Sequence, residues 1–418
     1  MPRSGKRDNS KQLSLFDVIM KSEKAREEVK AMLDIRRGLK EGEGEKHWRG
    51  VFALPPASLA ECVVREFQKK TDIPLELPFF TVLHWVAAYL LRHDISLRLP
   101  SGTIKTDLWT VLLASSGAGK TWTQKTVSKS LGLTDLEFRG TGIASSAKFI
   151  QELKTGNKGI WIRDEFGQFL RALASQSHME EIKDYLLRIY DNETIERTTQ
   201  KYECIVEDTA LTILGFTVWE TFPKQVSADD MVDGFAQRFS YVIAEKDPDR
   251  QMIDYPIYEL DTRRWRIQWE LLIKQIGYNE YTTTPEAIEG YKSSFAILYK
   301  KEIPESFFRR LLWRAHKYAL VYHILRGRGA EQQIQAEDYG WAGRVLYLHI
   351  SDAMQLLDAH GLSDLEKLCR RTEELKNKIA LDEKRTITPR DVVRGVWGLK
   401  TVAEARAILG LINGEPKY

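Results

Sequence analysis

Apolar and polar positions along the chain follow two different periods. Short unbroken apolar runs, the pattern of strands buried on both faces, fall at 108–113, 159–162, 209–216 and 240–244. Around them apolar residues recur every three or four positions, as in helices with one buried face. Ser58 with Glu61 reads as a capping box opening one such helix, and Pro78 precedes a second, more apolar helix over 79–91. Further helices are predicted from Lys120, over 145–153 with an end near Gly156, and over 179–190, where Ile182, Tyr185, Leu186 and Ile189 share a face. The segment 194–207 is rich in β-formers and turns at Gln200-Lys201, a hairpin pattern. Beyond Asp247-Pro248-Asp249 the pattern is helical. Thr284-Pro285 opens one helix, Pro304 a second with Phe308, Leu312, Ala315, Ala319 and Tyr322 on its apolar face, and 335–357 forms a long one.

The last segment changes character. A short helix begins within 386–391, and a capping box at Thr401 and Glu404 opens another, with Ala407, Ile408 and Leu411 inward and a stop at Asn413-Gly414. Two short helices and a turn suggest a winged helix or helix-turn-helix, where Lys400 and Arg406 could meet phosphates, although a protein contact fits equally. The expected architecture is an α/β ATPase core with N-terminal helices, a helical lid and a small C-terminal winged-helix-like domain. The boundaries read 1–46 (polar tail, one helix around 22–37), 47–100 (helical), 101–249 (core), 250–362 (lid) and 363–418.

The chemistry is concentrated at the first strand. After 108–113 the chain runs Ala114-Ser115-Ser116-Gly117-Ala118-Gly119-Lys120-Thr121, a P-loop of the form A-x-x-x-x-G-K-T. Small residues let the loop N–H groups converge on a polyphosphate, and the helix N-terminus adds positive potential. ATP is the cofactor this implies, held by Ser116, Gly117, Ala118, Gly119, Lys120, Thr121 and Trp122, with Lys120 on the β- and γ-phosphates. Asp164 and Glu165 end the next apolar run, a Walker B pattern. Thr121 and Asp164 are the candidate Mg2+ ligands, and Glu165 is the candidate base for the attacking water. Thr217, just past the expected end of the 209–216 strand, is a candidate phosphate sensor, with Thr212 as the alternative. Arg238, just before the last core strand, is a candidate arginine finger for a neighbouring subunit; pairing with Asp229 or Asp233 is the structural alternative. Arg197 and Lys201 on the hairpin are candidate DNA contacts, and one of Arg309, Arg310 and Arg314 is a candidate second sensor.

Composition narrows the field. The 418 residues carry a net charge of +3, so nucleic-acid contact must come from local patches. The three cysteines form no CxxC pair, which points to a reducing, cytoplasmic setting. The longest apolar run, 81–91, is too short to span a bilayer, and the first residues have no signal-peptide core.

Two resemblances extend this reading. Gln12, Leu13, Ser14, Leu15 and Phe16 resemble the motif by which bacterial replication proteins bind the sliding clamp. From about 52 to 357 the chain resembles a P-loop family of phages, plasmids and integrated elements, often found beside primases. The residues that carry this are Phe52-Ala53-Leu54-Pro55, the 114–121 loop, Asp164-Glu165, Tyr190-Asp191, the 211–217 strand and the 234–239 segment. The order of parts is similar to superfamily III and MCM-like AAA+ helicases, except that Thr217 stands where Asn is usual. The resemblance implies a hexameric ATP-driven helicase or initiator on DNA, with priming supplied by another protein. A helicase loader, a transposition-type ATPase or a defence ATPase are the alternatives.

Overall fold

The computed structural model describes residues 48–139, 145–176, 179–199, 202–226, 235–247, 250, 258–277, 280–299, 305–382, 385–396 and 401–413. The 1–46 tail, with Gln12, Leu13, Ser14, Leu15 and Phe16, lies outside the described residues, as do Lys201, Asp229, Asp233 and Lys400. Up to Val51 only a turn is described, in which Val51 N–H donates to Trp48 O at 2.9 Å.

The chain from Phe52 onward forms one unit. Helix α1 (Leu59–Lys70) starts at the expected cap, with Ser58 Oγ accepting from Glu61 N–H. Helix α2 (Glu76–Arg92) begins three residues earlier than its apolar run, because Pro78 is tolerated in a first turn whose N–H groups have no helical acceptor. Its side chains are buried almost all round, and it lies across the sheet against β-strands named below. A small hairpin, β1 (Leu97–Leu99) and β2 (Gly102–Ile104), leads into β3 (Trp109–Ala114) and α3 (Lys120–Leu131). Then come α4 (Ser146–Thr155), β4 (Lys158–Arg163), α5 (Phe166–Ser175) and α6 (Glu180–Tyr190). The expected hairpin is present as β5 (Ile195–Thr199) and β6 (Tyr202–Val206), followed by β7 (Ala210–Val218) and β8 (Ser240–Ala244).

The main sheet is parallel throughout, in the order β4, β7, β3, β8. Helix α2 packs on β4, β7 and β8. Strand β7 is inserted between β3 and β4, so the two chemistry-bearing strands are not neighbours. A parallel bridge from Glu137 to Ile160, with Phe138 N–H donating to Ile160 O at 2.7 Å, extends the sheet outside β4. In register, Leu113 stands opposite Thr217 and Ile243. The strand ends therefore share one edge, where the 115–119 loop and Asp164 emerge together.

After the sheet the chain is helical: α7 (Arg263–Gln275), α8 (Pro285–Leu298), α9 (Glu305–Leu325) and α10 (Ala336–Asp382). Helix α7 packs on α1 and α3, with Trp265 stacked on Phe67 at 5.9 Å. The expected apolar stripe of α9, from Phe308 to Tyr322, is buried. Helix α10 runs unbroken for 47 residues and passes straight through the boundary expected at 362/363. Its last turns share a small core with α11 (Pro389–Gly395) and α12 (Val402–Asn413), built from Ile379, Ile387, Val392, Val396, Ala405 and Leu409. The capping box at Thr401 and Glu404 is formed, and no strand follows β8 among the described residues. No described helix is long and apolar enough to cross a membrane.

Candidate active site

The loop between β3 and α3 is shaped by two residues in left-handed conformation, Gly117 at φ 76° and Gly119 at φ 80°. Gly119 is also a close approach, since a Cβ there would meet Ile73 Cδ1 at 2.8 Å. Ala118 N–H donates back to Ser115 O at 3.2 Å; for the N–H groups of Gly117, Gly119 and Lys120 no backbone acceptor is seen among the described residues. Lys120 Nζ donates to Ala114 O at 3.2 Å and Ser115 O at 3.0 Å, curled over its own loop. Burial pushes the Lys120 ammonium down from its ordinary pKa, and the carboxylates of Asp164, Glu165 and Glu220 pull the other way.

Forty-three positions along the chain, Asp164 comes back to this loop: Thr121 Oγ1 donates to Asp164 Oδ2 at 2.6 Å. Both oxygens are hard donors of the kind Mg2+ takes, and both belong to exposed residues. Glu165 follows in the left-handed region at φ 51°, just ahead of α5, and its carboxylate accepts from Gln168 Nε2 at 3.1 Å.

An open cleft lies beside the loop. The loop residues Ser115, Ser116, Gly117 and Ala118 form one wall, and Asp72, Ile73 and Pro74, from the link between α1 and α2, form another. Lys246 and Tyr258 close it. The link is pinned from behind: Arg250 donates to the carbonyls of Phe67, Thr71 and Ile73, while Tyr258 and Lys246 bind the Asp72 carboxylate. These groups hold the Asp72 carboxyl below its usual range despite its burial. Trp122 does not line this cleft; it packs edge-on against Phe67 and Tyr258 and so backs the wall. Reading along the chain missed the whole of this wall, because nothing local marks residues 71–74 as neighbours of a loop more than forty positions on.

The structure places the other expected positions as follows. Thr217 is not past the end of its strand; β7 continues to Val218 because pairing with β3 persists through Ala114, and Thr217 is 1% exposed. Thr212 packs within β7 and accepts from Leu108 N–H at 3.4 Å. Arg314 is buried and donates to Ser240 Oγ and Gln237 O, Arg310 donates to Gln237 Oε1, and Arg309 pairs with Glu305. The first two are thus spent at the start of β8, the sheet end opposite the loop. Arg238 pairs with Asp191 at 3.2 Å and lies over the Tyr190 ring. It precedes β8, which places it about 20 Å along the strands from its own 115–119 loop, at 3.3 Å per residue. Arg197, midway along β5, donates to Ser146 Oγ at 2.9 Å and pairs with Glu181 at 3.6 Å.

No protein-family model matches this chain, and no curated protein sequence matches it.

Proposed function

We propose that this chain is an ATPase of the additional-strand P-loop class, with an AAA+-type core, and that it works as a replicative helicase or helicase-like initiator of a phage or mobile element. The observation that carries this reading is the contact of Thr121 with Asp164 at 2.6 Å across a sheet in which β7 separates their strands. Glu165 directly follows the Asp164 that meets Thr121 and supplies a second acid for the attacking water. In this reading the 115–119 loop and Lys120 hold the polyphosphate, the base lies against the wall formed by Asp72, Ile73 and Pro74, and Glu165 accepts the water's proton. Magnesium, when bound through Thr121 and Asp164, neutralises charge on the phosphates.

Arg238 lies too far from its own loop to serve it, so a finger role requires a second copy. A hexameric ring brings Arg238 of one protomer to the loop of the next. DNA in the channel, met by the β5–β6 hairpin through Arg197 and Lys201, the host sliding clamp on Gln12–Phe16, and a separate primase complete the proposal. A cytoplasmic site of action belongs to the same reading.

The test is turnover of ATP by the purified full-length chain, with and without single-stranded DNA, followed by strand displacement on a forked duplex. The helicase reading expects DNA-stimulated hydrolysis and displacement. Hydrolysis without displacement, with stimulation of a partner helicase, would move the assignment to a loader. Absence of hydrolysis under all conditions would overturn the ATPase reading itself.

A further inference from the structure

The three most exposed large apolar side chains among the described residues are Ile267, Leu271 and Ile205. Ile267 is 57% and Leu271 54% exposed, and both belong to α7. Four positions apart, they share one face of the helix. Arg264 falls three positions before Ile267 and Lys274 three after Leu271, so the face is a stripe of Arg264, Ile267, Leu271 and Lys274. It lies on the far side of the helix from the buried Trp265, Trp269 and Leu272. Arg263 pairs with Asp261 and Arg266 with Glu270, whereas Arg264 and Lys274 form no ion pair among the described residues. Helix α7 thus turns a second apolar face to solvent, with a cation at each end.

Ile205, 46% exposed, lies on the β5–β6 hairpin. The inner face of that hairpin buries Ile195, Cys204 and Val206, with β6 packed on α4, and Arg197 turns the same way to reach Ser146. On the outer face Glu196 stands directly opposite Ile205, and Thr198 opposite Glu203. All four are exposed, and neither glutamate forms an ion pair among the described residues. A face with two carboxylates and no cation among its described residues repels phosphates and attracts a cationic protein surface.

We propose that the outer face of the hairpin in one copy of the chain seats on the α7 stripe of a second copy. Ile205 meets Ile267 and Leu271, while Glu196 and Glu203 meet Arg264 and Lys274. Opposite charges set around apolar centres select the partner and fix its register. Both faces are exposed within one copy, so neither covers the other there. Because the two faces differ, the contact runs head to tail, the arrangement that can close into a ring. It leaves the turn with Lys201 to DNA. Like the ring proposed above it needs more than one copy, but it needs no nucleotide.

The test is sedimentation velocity of the full-length, nucleotide-free chain over a range of concentrations. The wild type should associate, and less so at high salt. Glu196→Lys with Glu203→Lys, and separately Arg264→Glu with Lys274→Glu, should each raise the dissociation constant at least about tenfold. Thermal melts should be unchanged, since all four positions are exposed. All four changes in one chain should restore association. A wild-type chain that stays monomeric, double variants that associate as the wild type does, or a quadruple variant that stays apart overturns the contact. Loss in the α7 variant alone places a different acidic surface on α7 and overturns it as well. ATP turnover in the same samples separates the readings: a monomer that hydrolyses ATP removes the contact and keeps the ATPase, and an assembly without turnover does the reverse.

Discussion

Lys120 donates to the carbonyls of Ala114 and Ser115 of its own loop, and in the proposed function a phosphate competes for it. Its loss should remove a charge-assisted contact worth about 1.5–3 kcal/mol, so Lys120→Ala should weaken nucleotide binding roughly 10- to 100-fold in a fluorescent-nucleotide titration. Glu165→Gln should do the opposite: bind ATP normally and release phosphate about 10²- to 10⁴-fold more slowly, as expected when a positioned base is removed. Arg238 makes a different kind of prediction. Its guanidinium is clasped by Asp191, at the opposite end of the strands from its own loop. Arg238→Ala should leave ADP binding intact and cut hydrolysis about 10³-fold, the scale of a trans arginine. The effect should appear only at concentrations where copies associate, which sedimentation alongside the assay will show.

At the scale of elements, α9 holds the far end of the sheet. Arg310 and Arg314 grip Gln237 and Ser240, on either side of Arg238, and Lys317 reaches Asp107 just before β3. The Lys317–Asp107 pair is fully buried at 2.8 Å, and the Lys317 ammonium also lies 5.3 Å from the Tyr190 ring, whose neighbour is Arg238. Helix α9 therefore sets the position of the residue proposed to act on a neighbour. Lys317→Met strands the Asp107 carboxylate and should cost about 3–5 kcal/mol in urea unfolding, whereas Lys317→Met with Asp107→Leu should recover most of that loss. Equal destabilisation by both variants would show that shape, not charge, matters there. The stripe of α9 was legible as a period of three to four, but its polar face was not. Arg314 looks like a surface residue in the sequence and is 1% exposed, because the groups that satisfy it come from a segment some seventy positions earlier.

For the whole molecule, buried imidazoles set a pH limit. His84 in α2 and His316 in α9 are both pushed down to about 4 by burial. Between that value and the unfolded value of 6.5 the unfolded chain binds more protons, so stability falls as pH drops through this window, by at most about 3 kcal/mol per histidine. Thermal melts at pH 7.5 and pH 5 should show it, and His84→Phe should narrow the difference. The sequence alone determined the parts in which the chemistry is contiguous: a strand, a small-residue loop and a helix start at 109–121, a second strand ending in two acids, and the amphipathic helices that cover them. Each of these is written in local spacing, which records that a face is buried. Spacing does not record what the face is buried against. The tertiary structure alone brought Asp164 to Thr121, closed the cleft with Asp72 and Tyr258, continued β7 past Thr217 and gave Arg238 to Asp191. Those contacts join distant segments, and their free energy comes from desolvation and complementarity that exist only once the sheet has assembled.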